Sequence, residues 1–346
     1  MDENKKIEKK ELFFLCLLIT FFLLVTFKFF FIQPCDFENK MIRIITAIQN
    51  GSVPYKNFYD NTPPLNYYMY LTAYKIFNLS PDYGNLRTFA SAYVIFFILL
   101  IYIIGRLTAG QTAAMLTSFF YVIFMSTNNY NCIYSLPGLF AQFPIFLCLM
   151  FLFFTEKGYE KVDYFLSGFF LCVASYAVFH VKFLVFIPII HICLMWKKPG
   201  DKLKFVTFFL SGFIFMELLA VLWAVKNSAL REFIRMYFVN NFTVFFNGDN
   251  LIKNINEIAA YKYYLTLMIF VSLYCVYKSL SGRKYLYNLT LSLTAITTGI
   301  IAAFQKSTDN GYFYFLIPFI SLMSAVFIKD AAALVFNFGK TKIRKT

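Results

Sequence analysis

Acidic side chains are scarce in this chain, and four of them fall in one polar stretch, Pro34–Arg87. These four are Asp36, Glu38, Asp60 and Asp82, out of 18 Asp and Glu residues in a chain of 346. A carboxylate held beside a hydroxyl group can accept its proton, and two neighbouring carboxylates can share that role or bind a divalent cation such as Mg²⁺ or Mn²⁺. Asp36 fits a helix N-cap equally well, and Glu38 fits a solvated helix position, so both alternatives stay open here.

A second group of polar residues interrupts the apolar runs further along the chain. His180 and Lys182 split the run 164–196, and a lysine at such depth should find water, a carboxylate or a ligand phosphate. Glu217 also lies inside an apolar run, and the sequence shows no partner for it. His191 sits on an apolar face, where a packed residue between helices is the expected role.

Composition places these residues in a membrane protein. The chain is 60% hydrophobic and 14% charged, whereas soluble domains carry about a quarter charged residues. Continuous apolar runs of about 17–25 residues predict membrane-spanning helices. The net charge of +14 comes from Lys and Arg clusters between these runs, which is typical of cytoplasmic loops and excludes nucleic acid as a partner. The cysteines follow no metal-ligand spacing; a Cys35–Cys132 disulfide is left open, and buried free thiols are favoured.

We therefore predict an all-α polytopic membrane protein with about ten transmembrane helices in one domain, 1–346. The run 164–196 is interpreted as two short spans, because one tilted span would place the lysine cluster after it outside. The predicted spans are 12–32, 88–104, 110–126, 139–154, 164–179, 183–196, 204–225, 262–279, 285–304 and 312–328. The parts are the first span 12–32, a first outer loop 34–87, central spans 88–225, a second outer loop 226–261, three last spans within 262–328 and a basic tail 329–346.

The positive-inside rule places both termini in the cytoplasm and the first outer loop on the opposite side. Two amphipathic helices are predicted within that loop. The first begins near Asp36 and stops at Gly51. The second covers Leu65–Phe77, starts after two prolines, and is rich in tyrosine, which is typical of a helix lying in the membrane interface.

The first outer loop resembles that of the GT-C superfamily, the polyprenyl-phosphate-sugar-dependent glycosyltransferases that include protein mannosyltransferases and aminoarabinose transferases. The residues that carry the resemblance are Asp36 after the first span, the turn Gly51–Tyr55, the Pro63-Pro64-Leu65 motif and Arg87 before the second span. The Gly168–Pro188 stretch is similar to a family pattern around the fifth and sixth spans. The lysine that the family places just before the two prolines is Thr62 here, so a phosphate contact must come from elsewhere.

The resemblance implies that a sugar is moved from a polyprenyl-phosphate donor to an acceptor, with inversion at the sugar carbon. Asp36 would act as the general base, alone or with Glu38, and both acids would be the ligands of any divalent cation. Positive charge would stabilise the departing phosphate, although each Lys or Arg also fits contact with lipid headgroups. The candidates for binding substrate or phosphate are Arg43, Lys56, Asp60, Arg87, His180, Lys182, Arg231 and Lys306.

The expected partners are a polyprenyl-phosphate sugar, an acceptor that is a glycan, a lipid or a protein, and the membrane lipids themselves. The expected location is the bacterial cytoplasmic membrane, with the active site facing outward. Two other functions fit the same composition. A lipid-linked glycan transporter would more often show internal repeats and broken helices at the membrane midplane, and a non-catalytic member of the fold would tolerate loss of Asp36.

Overall fold

A computed structural model of the protein describes residues 9–58, 63–127, 137–155, 158–241, 243, 269–274, 286–304 and 316–343. Over these ranges the chain forms helices joined by turns, with one isolated bridge between Pro54 and Phe58. The prediction of an all-α chain is confirmed for this part of the protein.

Most of the helices lie where apolar runs predict them. A 3₁₀ segment, Lys28–Phe31, follows the first helix, another, Phe179–Val185, precedes α8, and a π-helix, Ile234–Asn240, continues α10. Residues 269–274 are also helical. The helices are α1 (Lys9–Phe27), α2 (Asp36–Gln49), α3 (Leu65–Phe77), α4 (Tyr83–Ala109), α5 (Gln111–Thr127), α6 (Pro137–Phe153), α7 (Glu160–Ser175), α8 (Phe186–Met195), α9 (Pro199–Lys226), α10 (Leu230–Phe233), α11 (Leu286–Phe304) and α12 (Leu316–Ile343).

Three helices of the described chain are long and apolar enough to cross a membrane, by length and composition: α1, α4 and α9. Shorter apolar helices cover Gln111–Ser126, Gly138–Phe153, Phe179–Met195 and Leu289–Thr298. Each predicted span contains a helix in its described residues; for the span 262–279 the described residues are 269–274, which are helical. The total of ten spans stays a prediction.

The break inside the run 164–196 is confirmed. Helix α7 ends at Ser175, and Val178 has an extended backbone before the 3₁₀ segment that carries Lys182. Helix α8 begins at Phe186 and places Pro188 in its first turn, where a proline costs no hydrogen bond.

Helices α7 and α9 pack more extensively with each other than any other pair in the described chain. Two glycines make this contact. A Cβ atom on Gly168 would lie 1.9 Å from the Phe209 carbonyl oxygen, and one on Gly212 would lie 1.9 Å from the Phe165 carbonyl oxygen. Small residues let helix backbones approach closely in membranes. The crossing sets the segment after α7 beside the second half of α9.

The predicted helices of the first outer loop are present. Helix α2 ends as expected: the N–H of Gly51 donates to the Ile48 carbonyl, the N–H of Ser52 donates to the Ala47 carbonyl, and Gly51 has a φ of 90°. Helix α3 covers the predicted range, Leu65–Phe77. Its aromatic face differs from the expectation, because three of its tyrosines are buried in the protein core rather than exposed at an interface: Tyr67, Tyr70 and Tyr74.

Candidate active site

Asp36 lies at the exposed start of α2. Cys35, not Asp36, is the N-cap residue, so the prediction that Asp36 caps this helix is wrong. Cys35 has an extended backbone, its N–H donates to Glu38 Oε2 at 3.1 Å, and it is disulfide-bonded rather than free. Residue 132 lies outside the described residues. The Asp36 carboxylate is therefore left facing solvent at the positive end of a helix.

Glu38 and Arg87, both predicted as site residues, bind each other. Arg87 Nε donates to Glu38 Oε1 at 2.8 Å, and Arg87 Nη2 donates to Oε2 at 2.7 Å. The other arm of the guanidinium, Nη1, donates to the Ile32 carbonyl at 2.9 Å. Both side chains are buried. The pair joins the start of α2, the start of α4 and the segment that follows α1, so it fixes the position of Asp36.

The Glu38–Arg87 pair also decides how well the predicted cation site fits. A divalent cation shared by Asp36 and Glu38 needs oxygens from both carboxylates, and Arg87 binds both oxygens of Glu38. Among the residues described, no three His, Cys, Asp or Glu side chains come close enough to hold a metal ion. The first turn of α2 therefore does not fit the metal site that the sequence suggested.

Lys182 has a carboxylate partner, Glu217 of α9. The ammonium group forms an ion pair with Glu217 Oε1, and the Tyr176 hydroxyl donates to Oε2 at 2.6 Å. The Lys182 Nζ atom lies 4.4 Å from the centre of the Phe238 ring and 4.8 Å from that of Tyr237. Aromatic faces attract cations, so rings and carboxylate together hold the ammonium. This answers both open points of the sequence, the partner of Glu217 and the partner of Lys182.

Two contacts place the first outer loop on the same side of the fold as Lys182. Asn66 Nδ2 donates to the Ala177 carbonyl at 2.9 Å, which ties the start of α3 to the turn before the 3₁₀ segment. Tyr55 is buried, and its ring packs edge-on against Phe233 at 5.6 Å. Tyr55 has a φ of 68°, a backbone conformation that non-glycine residues rarely adopt. Such conformations are found most often at functional sites. The turn at Gly51–Tyr55 is thus anchored by Phe233, on the same side of the fold as Lys182.

A cavity of about 270 Å³ lies between α3 and α9. The Pro-Pro-Leu motif supplies one wall, through Pro64 and Leu65, and the Tyr68 ring meets the Trp223 ring edge-on at 5.7 Å. The lining is almost entirely apolar. Tyr176 is shared, because its ring lines the cavity while its hydroxyl binds Glu217. The complete lining is Pro64, Leu65, Tyr68, Tyr176, Met216, Leu219, Ala220, Trp223 and Phe233.

The remaining predicted site residues are dispersed. Arg43, Lys56 and Arg231 are exposed. His180 is buried beside the Phe183 ring. Two predicted residues, 60 and 306, lie outside the described chain. Sequence reasoning missed Tyr176, Tyr237 and Phe238 around Lys182, because aromatic residues are common throughout this chain and their positions carry no distinguishing signal.

No family model matches the chain, and no curated protein matches it in sequence. Solved structures do match. The archaeal oligosaccharyltransferase AglB from Archaeoglobus fulgidus, in complex with an inhibitory peptide and a dolichol-phosphate, is 11% identical with a TM-score of 0.56 over 96% of this chain and 52% of its own. ArnT from Cupriavidus metallidurans, bound to undecaprenyl phosphate, is 12% identical with a TM-score of 0.59 over 90% of this chain and 59% of its own.

A third similar structure is the Archaeoglobus fulgidus oligosaccharyltransferase in complex with Zn and sulfate, 12% identical with a TM-score of 0.50 over 94% of this chain and 50% of its own. This chain thus spans about half the length of the proteins it matches. At such identities the likeness shows the fold. The protein shares the fold of these solved structures.

Proposed function

We propose that this protein is a glycosyltransferase that moves a sugar from a polyprenyl-phosphate donor to a hydroxyl of a glycan, lipid or protein acceptor. One observation carries the proposal. An apolar cavity walled by the Pro-Pro-Leu motif is linked through Tyr176 to the Lys182–Glu217 ion pair, on the same side of the fold as the loop that presents Asp36. Two proteins with this fold were solved with dolichol-phosphate and undecaprenyl phosphate, respectively.

The reaction is a single displacement. Asp36 accepts the proton of the acceptor hydroxyl, whose oxygen forms a bond to C1 of the sugar from the face opposite the phosphate. The bond from C1 to the phosphate oxygen breaks, and the polyprenyl phosphate leaves with the electron pair. Configuration at C1 is inverted because attack and departure occur on opposite faces. Asp36 is suited to this role because its exposed carboxylate is not used as a helix cap.

The lipid part of the donor is assigned to the cavity between α3 and α9. Its apolar lining suits the first isoprene units, whose burial is favourable in proportion to the area removed from water. Lys182 then supplies positive charge to the phosphate as the C1–O bond breaks. Arg43, Lys56 and Arg231 are exposed enough to meet a charged substrate or lipid headgroups.

Glu38 and Arg87 are assigned to positioning rather than to proton transfer or phosphate binding, because each satisfies the other. The proposed reaction uses these side chains without a metal ion. The site is proposed to face outward from a bacterial cytoplasmic membrane. The disulfide at Cys35 supports this, since disulfides persist in oxidising compartments.

The decisive experiment compares two carboxylate-to-amide changes in cells lacking the protein. Loss of the protein should cause one prenyl-phosphate sugar to accumulate, which names the donor, and the wild-type chain should clear it. Asp36→Asn should slow transfer by roughly two to four orders of magnitude, the usual worth of a general base. Its matched control is Asp201→Asn, the same change in the first turn of α9, which should transfer normally.

Asp36→Asn should be produced and inserted like the wild type, because Asp36 is not the cap of α2. Transfer by Asp36→Asn at a near wild-type rate would remove the catalytic assignment. If cells lacking the protein instead accumulate a lipid-linked glycan on the cytoplasmic face, a transporter is the better description.

A further inference from the structure

Glu217 is a carboxylate placed where the proposed reaction needs positive charge. One of its oxygens binds the Lys182 ammonium, and the other accepts a hydrogen bond from Tyr176 at 2.6 Å. The side chains of Lys182 and Glu217 are 15% and 19% exposed, so neither is sealed in the protein. Met216 and Ala220, on either side of Glu217 along α9, line the cavity.

A lipid phosphate that binds Lys182 must share the ammonium with this carboxylate. Since each anion contacts an ammonium at about 2.8 Å, two anions on one ammonium lie at most about 6 Å apart. At that separation they repel each other, and the repulsion grows with the charge on the phosphate. Glu217 therefore weakens the binding of a phosphate at Lys182, and it does so in proportion to the charge on that phosphate.

The donor and the product differ in that charge. The sugar-bearing donor is a phosphodiester with one negative charge, whereas the released polyprenyl phosphate is a monoester that carries about 1.5 to 2 negative charges at neutral pH. Lys182 alone would hold the product more tightly than the donor. We infer that Glu217 is a specificity-determining residue: it acts through Lys182 to discriminate against the doubly charged monoester, so that spent lipid phosphate leaves and donor enters.

This inference rests on the proposed function, and binding measurements separate the two. The full-length protein is placed in zwitterionic nanodiscs at pH 8, where a phosphate monoester is doubly charged. Three probes share one farnesyl chain: farnesyl phosphate (two charges), farnesyl methyl phosphate (one charge) and farnesol (none). Dissociation constants for the three are compared in the wild type and in Glu217→Gln.

Glu217→Gln keeps an oxygen for the Tyr176 hydroxyl and removes the charge. We expect binding of farnesyl phosphate to tighten on the order of tenfold, that of farnesyl methyl phosphate about threefold, and that of farnesol not at all. In a Lys182→Met background, Glu217→Gln should change none of the three, since the phosphate is no longer drawn to this position. A residue that only stabilised the fold would weaken all three probes alike.

An unchanged ratio between the two phosphates in Glu217→Gln would overturn the inference. If the wild type binds both phosphates no more tightly than it binds farnesol, the proposed function is overturned and the inference with it. If Glu217→Gln does not fold, Tyr176→Phe decides. Without the Tyr176 hydroxyl, the Glu217 carboxylate loses one of its hydrogen bonds, and we expect the binding of farnesyl phosphate to weaken about threefold relative to that of farnesol. An unchanged ratio between these two dissociation constants would again contradict the inference.

Discussion

Two ion pairs that differ in burial and geometry lie on the side of the fold that carries the first outer loop. Glu38 and Arg87 are 1% and 5% exposed, and their two parallel hydrogen bonds are completed by the Ile32 carbonyl and the Cys35 N–H. Lys182 and Glu217 are 15% and 19% exposed and meet at a single point, with aromatic rings around the ammonium.

The difference follows from the chemistry of the two cations. A guanidinium is a rigid, planar fork that matches a carboxylate at two points, and each partner can be satisfied completely by the other. A lysine ammonium is a point charge on a flexible stem, and it can turn toward a new anion without breaking a planar arrangement. We infer that the first pair builds the site and that the second one responds to the ligand.

The largest expected effect is the loss of the buried guanidinium. Arg87→Met strands the Glu38 carboxylate, and breaking a buried pair in this way typically costs about 3–5 kcal/mol of unfolding free energy. Equilibrium unfolding in mixed micelles measures it. Arg43→Met, at an exposed arginine of α2, is the control and should stay within about 0.5 kcal/mol of the wild type. Equal stability of the two variants would mean that the pair is dispensable.

The second effect tests whether the α7–α9 crossing assembles the responsive pair. Gly212→Ala puts a Cβ atom 1.9 Å from the Phe165 carbonyl oxygen, so the helices must separate. Overpacking of this kind costs about 1–3 kcal/mol, and Glu217 should move away from Lys182. Gly200→Ala, where nothing lies within 4 Å of an added Cβ, is the matched control. Unfolding and farnesyl phosphate binding that stay unchanged in Gly212→Ala would refute this role for the crossing.

The sequence was a good guide to the helices and a partial guide to the site. Apolar runs, the two prolines before Leu65 and the glycine after α2 are local signals, and they predicted Leu65–Phe77 and the stop at Gly51 correctly. The N-cap of α2 was misplaced by one residue, because an aspartate is a better cap than a cysteine by propensity and Glu38 reaches the Cys35 N–H instead.

The sequence did not predict the two ion pairs, and the reason is different. Glu38 and Arg87 are 49 residues apart, and Lys182 and Glu217 are 35 apart. Glu38 was singled out as an acid of the polar loop and Arg87 by the family resemblance, whereas Lys182 and Glu217 were singled out because they lie within apolar runs. No local pattern states which cation meets which carboxylate. That depends on how helices cross, and for the second pair it depends on Gly168 and Gly212.

Lys182→Met should cost the protein less stability than Arg87→Met does. Lys182→Met leaves Glu217 with the Tyr176 hydroxyl and partial access to solvent. We expect the unfolding free energy to fall by about 1 kcal/mol or less, as for partly exposed pairs, while binding of farnesyl phosphate falls and that of farnesol does not. A loss of stability as large as that of Arg87→Met would erase the distinction between the two pairs.

The smallest expected effect concerns the helix that carries Arg87. Asp82 caps α4: its side chain accepts from the Asn85 N–H at 2.8 Å, and this bond, together with the Ser80 hydroxyl, holds the pKa of Asp82 below its usual value. Because the pKa is lowered in the folded state, the stabilisation is complete above about pH 3.9 and is lost as the pH falls through the lower, folded value.

Asp82→Ala should therefore reduce the unfolding free energy by about 0.5–1 kcal/mol at pH 7, and the deficit relative to the wild type should shrink in acid. Asp82→Asn keeps an oxygen for the Asn85 N–H but carries no charge, so its deficit at neutral pH should be smaller than that of the alanine variant and should also shrink in acid. Paired unfolding curves at pH 7 and pH 3 measure both variants. An alanine deficit that is the same at both values would show that the Asp82 charge contributes nothing to stability through its cap of α4.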